Sequence, residues 1–232
     1  MSQKSELARK KGKKYAAAAA KTEERAYSLE EAMTLLPELS TSSFDGTAEV
    51  HIRVNADPRQ ADQLVRTTVS PPHGTGKNVR IAAFVSDDMV ADAKKAGAEL
   101  AGNDDLVADI AAGNINFDVA VADPSVMKSL GKIAKTLGQK GLMPNPKAGT
   151  VTPDVVKTIG ELKKGRLDLK MDKQAIIHSV FGKMSFGAAK LSENLQSIMT
   201  AVEEAKPSGI KGVYITSVFV TPSMGPGIEI SV

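Results

Sequence analysis

The chain has 232 residues, with 30 Lys plus Arg against 27 Asp plus Glu for a net charge of +3, no Cys, no Trp and 4% aromatic residues. At roughly 150 residues per domain this makes one or two domains, long enough to bury real cores, and 42% hydrophobic with 25% charged residues excludes a disordered or fibrous chain. The absence of cysteine removes disulfides, thiolate catalysis and Cys-ligated zinc, and suits a reducing compartment.

Residues 1–25 carry eight bases (Lys4, Arg9, Lys10, Lys11, Lys13, Lys14, Lys21, Arg25) against three acids, and read as a basic N-terminal helix. The alanines Ala16 to Ala20 are too short and too mildly apolar a run for a secretion signal. No uncharged apolar run approaches the ~20 residues of a membrane span, so the expectation is a cytoplasmic protein with no membrane partner. Ser28-Leu29-Glu30-Glu31 is a capping box opening a short helix that should end before Pro37. Thr47 to Val54 alternates, with Ala48, Val50, Ile52 and Val54 on one side and Thr47, Glu49, His51 and Arg53 on the other, as in a half-buried strand. Val79 to Val85 is an apolar β-type run, after which Ser86, Asp87 and Asp88 start a helix to about Ala98.

Asp118 to Ala122 predicts another buried strand. Asp123-Pro124 then supplies an N-cap and an N1 proline for a helix whose apolar positions Val126, Leu130, Ile133, Ala134 and Leu137 run until Gly138. Thr152-Pro153-Asp154 starts a further helix. Arg166 to Lys170 and Ala175 to Val180 look like strands paired with each other, and Gly187 to Ala205 reads as a long amphipathic helix. Val213 to Val220 and Ile228 to Val232 are closing strands around the tight loop Thr221 to Gly227. Strands alternating with helices predict α/β in the middle. The terminal thirds are too small to build strong cores alone, so they are expected to pack together with the α/β middle inserted between them.

The near-neutral total conceals segregation. Residues 87–123 hold nine acids and two bases, residues 124–153 hold five lysines (Lys128, Lys132, Lys135, Lys140, Lys147) and no acid, and residues 157–173 hold six bases and three acids. Local basic surfaces of this kind are the footprint of a nucleic-acid binder, although a charge run can equally be a solvated face. No catalytic constellation is present. His73-Gly74-Thr75-Gly76-Lys77 fails as a phosphate loop, because Pro71 stands where glycine is needed, Asn78 follows the lysine, and the segment precedes its strand; its glycines read as a hinge. The three histidines (His51, His73, His178) lack metal-site spacing, so neither a metal nor a cofactor is implied. Two segments are unusual for scaffolding: the stiff Gly138 to Gly149 loop, and Ser223-Met224-Gly225-Pro226. There a hydroxyl, a thioether and a glycine could meet the 2′-OH and apolar face of a ribose. A plain β-turn explains the latter equally well.

Gly131-Lys132-Ile133-Ala134-Lys135-Thr136-Leu137-Gly138, followed by Lys140-Gly141-Leu142-Met143-Pro144-Asn145-Pro146-Lys147 and Gly149-Thr150-Val151, resembles the hallmark run of the ribosomal protein "L-one" family of the large subunit's lateral stalk. Further matches lie in order along the chain: Phe44-Asp45 with Thr47, Glu49 and His51; Asp57-Pro58-Arg59; Val65-Arg66; Pro72 to Gly76; Gly165-Arg166; Asp172-Lys173; Ile177-His178; Gly182-Lys183; Phe186; Lys206-Pro207; Lys211-Gly212; and Met224-Gly225.

The resemblance implies an α/β and α+β protein of two domains: a split β-α-β base domain from residues 1–70 and 160–232, and an inserted Rossmann-like three-layer α/β domain from residues 71–159. It implies a non-enzymatic ribosomal protein that binds the stalk region of 23S rRNA, moves with deacylated tRNA at the exit site, represses its own operon mRNA, and is a monomer when free. The RNA-contacting residues it implies are Phe44, Thr47, Glu49, His51, Arg166, Lys173, Ser223, Met224 and Gly225, with hinge positions at Ser70, Pro71, Gly74 and Gly160. Ser223 stands where the family usually has threonine, which should keep the hydrogen bond with less methyl packing. Thr67 stands where glycine is usual, which should stiffen or shift the approach to the hinge. A nucleotide-dependent enzyme using the α/β middle and a duplex-DNA binder are the alternatives that a nucleotide titration and RNA/DNA competition would separate.

Overall fold

The computed structural model describes residues 12–231; Lys4, Arg9, Lys10 and Lys11 of the expected basic N-terminal helix lie outside them. It is a mixed α/β structure whose contacts divide the described residues into two compact units, residues 12–76 with 169–231 and residues 77–168.

In the first unit, helices α1 (Lys13–Ala19) and α2 (Leu29–Leu39) precede strands β1 (Thr47–Val54) and β2 (Arg66–Val69). The second half adds β6 (Leu167–Lys170), β7 (Ile176–Lys183), α8 (Ala188–Glu204), β8 (Ile215–Pro222) and β9 (Ile228–Ile230), β6 beginning two residues before the unit boundary. The main sheet has the order β7-β1-β8-β9, and every neighbouring pair in it is antiparallel. Strands β7 and β8, joined by α8, therefore run parallel with β1 from the other end of the chain threaded between them. That is a split β-α-β unit, and it requires both chain ends.

Alternation on β1 puts Ala48, Val50, Ile52 and Val54 on the buried face, where Ile177, Phe181, Val218, Val220, Ile228 and Ile230 are also buried. Helix α2 contributes Ala32, Met33, Leu36 and Leu39, and α8 contributes Leu191, Leu195, Ile198 and Val202. Both helices lie against the sheet strands and against each other. Each fully buried Leu or Ile is worth about 1.5–3 kcal/mol, so a single apolar stripe per helix fixes its docking.

The Ser28 capping box forms as expected, Ser28 Oγ accepting from Glu31 N–H at 3.3 Å. The helix does not end before Pro37, however, but runs through it to Leu39. A proline in the last turn forfeits one backbone bond, and the burial of Leu36 and Leu39 on either side of it outweighs that loss. The expected pairing of the strands after Arg166 also differs. Strand β6 pairs with β2, β7 pairs with β1, and only the isolated bridge Met171–Ile177 links the two segments. The apolar alternation of β7 matches the core face of β1, and that burial decides the partner.

The second unit holds a parallel sheet of order β4-β3-β5, formed by β3 (Ile81–Phe84), β4 (Leu100–Gly102) and β5 (Val119–Ala122). Period-two alternation gives this sheet two buried faces. Ala82, Phe84, Ala120 and Ala122 pack with Leu106, Val107 and Ile110 of α4 (Asp104–Ala111) and with Val126, Leu130, Ile133 and Leu137. Ile81, Ala83 and Val121 pack with Ala93 of α3 (Val90–Ala96) and with Val155, Ile159 and Leu162 of α7 (Val155–Lys163). Asp123 caps the chain after β5 by accepting from Ser125 N–H at 2.8 Å, with Pro124 at the first turn. The helix expected from there to Gly138 is instead a series of short turns, including α5 (Met127–Leu130) and α6 (Ala134–Gln139), whose four buried apolar positions nevertheless keep to one side.

Candidate RNA interface

The polar half of the β1 alternation (Thr47, Glu49 and His51 half-buried, Arg53 exposed) lies on the face opposite the one that holds Ala48, Val50, Ile52 and Val54. The register sets Thr47 opposite Lys183 and His51 opposite His178 on β7. On β8 it sets Glu49 opposite Thr221 and His51 opposite Phe219. Lys183 and His178 are five residues apart, an odd separation that a regular strand would send to opposite faces. The register slips between Ala48 and Glu49, where β7 carries an extra residue, and this bulge returns Lys183 to the face of Thr47. There Lys183 Nζ donates to Thr47 Oγ1 at 3.3 Å and to the Asp45 carbonyl at 3.3 Å.

The β8–β9 loop is stitched to the start of β1. Ser223 N–H donates to the Thr47 carbonyl at 3.0 Å, and Ser223 Oγ lies 3.2 Å from that carbonyl and 3.0 Å from Glu49 Oε1. Ser223 is thereby bonded to β1 through both its backbone and its hydroxyl. The carbonyl of Met224 accepts from Thr41 N–H at 3.0 Å and from the Thr41 hydroxyl. With the backbone so held, Met224 is left 54% exposed and Phe44 60% exposed, and Phe219, opposite His51 on β8, is also exposed. Gly225 has an internal reason to be glycine. A Cβ there would lie 2.4 Å from the Leu39 carbonyl oxygen and 2.6 Å from Pro222, so only glycine lets the loop close on the end of α2.

Of the residues implied by resemblance, the fold thus gathers Phe44, Thr47, Glu49, His51, Ser223, Met224 and Gly225 around one sheet face and its loop. Lys173 is exposed in the turn leading into β7. Arg166 belongs to the second unit, where its guanidinium donates to Glu161 at 2.7 Å and to the Ala148 carbonyl at 3.4 Å, and its side chain is only 18% exposed. Among the hinge positions, Ser70 is exposed and Pro71 is buried. Gly74 has φ +64° and gives its carbonyl to Asn194. Gly160 lies inside the unbroken α7.

The Gly74–Gly76 loop leads into β3, with no helix directly after it to cradle a phosphate. The sequence reading did not include His178, Lys183 or Phe219 in the site; the register with β1 points to His178 and Phe219, and the bulge in β7 to Lys183, and both depend on contacts more than a hundred residues apart.

These features define a class: a mixed α/β protein presenting an open, polar sheet face edged by exposed Phe and Met, the architecture of a macromolecule-binding surface. The model of the Ribosomal protein L1p/L10e family matches residues 36–226. The large ribosomal subunit protein uL1 of Chloroflexus aurantiacus (strain ATCC 29366 / DSM 635 / J-10-fl) is 51% identical over 225 residues, 95% of each chain. That of Synechococcus sp. (strain WH7803) is 47% identical over 223 residues, 96% of this chain and 95% of its own. The chain belongs to the Ribosomal protein L1p/L10e family, a family of ribosomal structural proteins and not of enzymes.

Proposed function

We propose that this protein is a structural component of the large ribosomal subunit that binds the stalk region of 23S rRNA through the outer face of β1, β7 and β8 and the Ser223–Gly225 loop. The observation that carries this reading is the fixed loop backbone at Met224, which leaves an exposed thioether and the nearby Phe44 free to pack on sugar and base surfaces. Relatives named as large ribosomal subunit proteins support the partner. On the ribosome, and so in the cytoplasm, the stalk would move with deacylated tRNA at the exit site. Free as a monomer, the protein would repress its own operon mRNA by binding a segment that mimics the rRNA site. In this reading the first unit is the base domain and the second a Rossmann-like insertion, with hinge action at the two chain crossings.

Phosphate contacts by Lys183 and the surrounding bases make the affinity depend on salt. The logarithm of the binding constant for a stalk-region transcript should fall linearly with the logarithm of salt concentration, by about 0.7–0.9 per phosphate contacted, and duplex DNA of equal length should compete poorly. A flat salt response, or equal competition by duplex DNA, would remove the reading.

A further inference from the structure

His51 and His178 are 127 residues apart in the chain, yet their Nδ1 atoms are 2.8 Å apart across the β1–β7 pair. Their rings meet edge to face with centroids 5.0 Å apart. Beyond them, His178 Nε2 lies 3.3 Å from Asp172 Oδ2, while Asp172 Oδ1 accepts from the N–H groups of Gln174 at 2.7 Å and Ile176 at 2.9 Å. The proton placement follows from these contacts. Backbone donation from Ile176 foremost holds Asp172 below the usual carboxylate range, so it is an acceptor and His178 carries its hydrogen on Nε2. His178 Nδ1 then holds the lone pair, and His51 must donate from its own Nδ1. Neutral His51 is left with a bare lone pair on Nε2, which would repel a phosphate oxygen.

We propose that the Asp172–His178–His51 chain is a proton-linked phosphate anchor on the RNA-binding face, a step that rests on the function proposed above. One proton from solvent adds to the Nε2 lone pair of His51 and makes it a donor to a phosphate oxygen. The O–H bond of a solvent hydronium breaks as this N–H bond forms, the His51 Nδ1–H continues to donate to His178, and the proton returns to water on release.

The charged groups facing the pair are Glu49 and Arg53 on β1 and Asp172 and Lys173 in the turn before β7. Strand β8 places uncharged Phe219 and Ser217 opposite His51 and Arg53, and Glu229 of β9 lies beyond Phe219. Glu49 and Asp172 favour the added charge. Burial first, and then His178, holds His51 below the ordinary imidazole value. At pH 7 the free protein is therefore neutral at His51, and bound phosphate must draw the proton on.

The test is the affinity for a transcript of the 23S stalk region from pH 5.5 to 8 at fixed ionic strength. Wild type should weaken as pH rises, by up to about tenfold per unit where one proton is released. His51→Gln, whose amide donates without titrating, should bind with most of that pH dependence removed, and the ring nitrogens of His51 in wild type should take the imidazolium NMR signature when RNA is added at neutral pH. A wild-type profile superimposable on that of His51→Gln, with His51 remaining neutral in the complex, overturns the anchor while the RNA-binding reading stands. Failure of both proteins to bind the transcript at any pH overturns the reading itself.

Discussion

Met224→Asp should weaken binding to a stalk-region transcript by about a hundredfold, some 2.7 kcal/mol, with the thermal midpoint unchanged. Two effects add. The substitution removes a polarisable apolar contact, and a thioether packed against an aromatic ring is worth about 0.3–1.5 kcal/mol. It also places a carboxylate against a polyanion, where like charges cost several kcal/mol. Folding should not notice, because the loop is held by the Met224 carbonyl and by Ser223, not by the thioether, and substitution at an exposed site typically changes stability by no more than about 0.5 kcal/mol. Filter binding or fluorescence anisotropy, together with a thermal melt, reads both quantities. Affinity within threefold of wild type would mean that the loop is not a contact.

Asn194→Leu should do the reverse, costing stability far more than recognition. Asn194 is fully buried in α8. Its Nδ2 donates to the Gly74 carbonyl at 2.9 Å and to the Phe181 carbonyl at 2.7 Å, and its Oδ1 accepts from His73 N–H at 3.0 Å. One side chain thus ties the segment after β2 to the bulged strand β7 and to the long helix. Leucine has nearly the same volume but leaves three backbone groups without this partner. An unpaired buried polar group costs about 1–3 kcal/mol, so the loss should reach ~3 kcal/mol or more and lower the midpoint by roughly 6–12 °C. Calorimetry giving a midpoint within 2 °C of wild type would show that water replaces the amide without penalty. Below the transition, RNA affinity should stay within a few fold of wild type, since Asn194 lies beneath the sheet and not on its outer face.

What could be read from the chain was whatever local chemistry decides. The Ser28 box, the alternation of β1, the Asp123-Pro124 start and the amphipathic α8 are set by neighbours within a few residues, and each stands where those residues put it. The helix through Pro37 escaped because tertiary burial of Leu36 and Leu39 overrides a local penalty. The short β4 escaped because Leu100-Ala101-Gly102 has neither alternation nor length, and only pairing with β3 makes it a strand.

At the site, residue types were legible through resemblance, but their joining was not. The stitching of Ser223 to Thr47 spans 176 residues and the His51–His178 contact 127, and both depend on β1 entering between β7 and β8. The bulge that turns Lys183 outward has no signature in the sequence beyond Gly182, whose Cβ would meet Leu191 at 2.7 Å. Arg166, implied by the resemblance, lies apart from that face: its guanidinium bonds Glu161 and the Ala148 carbonyl within the second unit, a local setting that the sequence did not show.

Ultraviolet cross-linking of the full chain to a 23S stalk transcript, with the modified peptides mapped by mass spectrometry, addresses the central claim most directly. The outer face of the first unit predicts adducts at Phe44, Met224 and Phe219. Adducts confined to the lysine-rich stretch from Lys128 to Lys140 of the second unit, with Phe44 and Met224 unmodified, would contradict it.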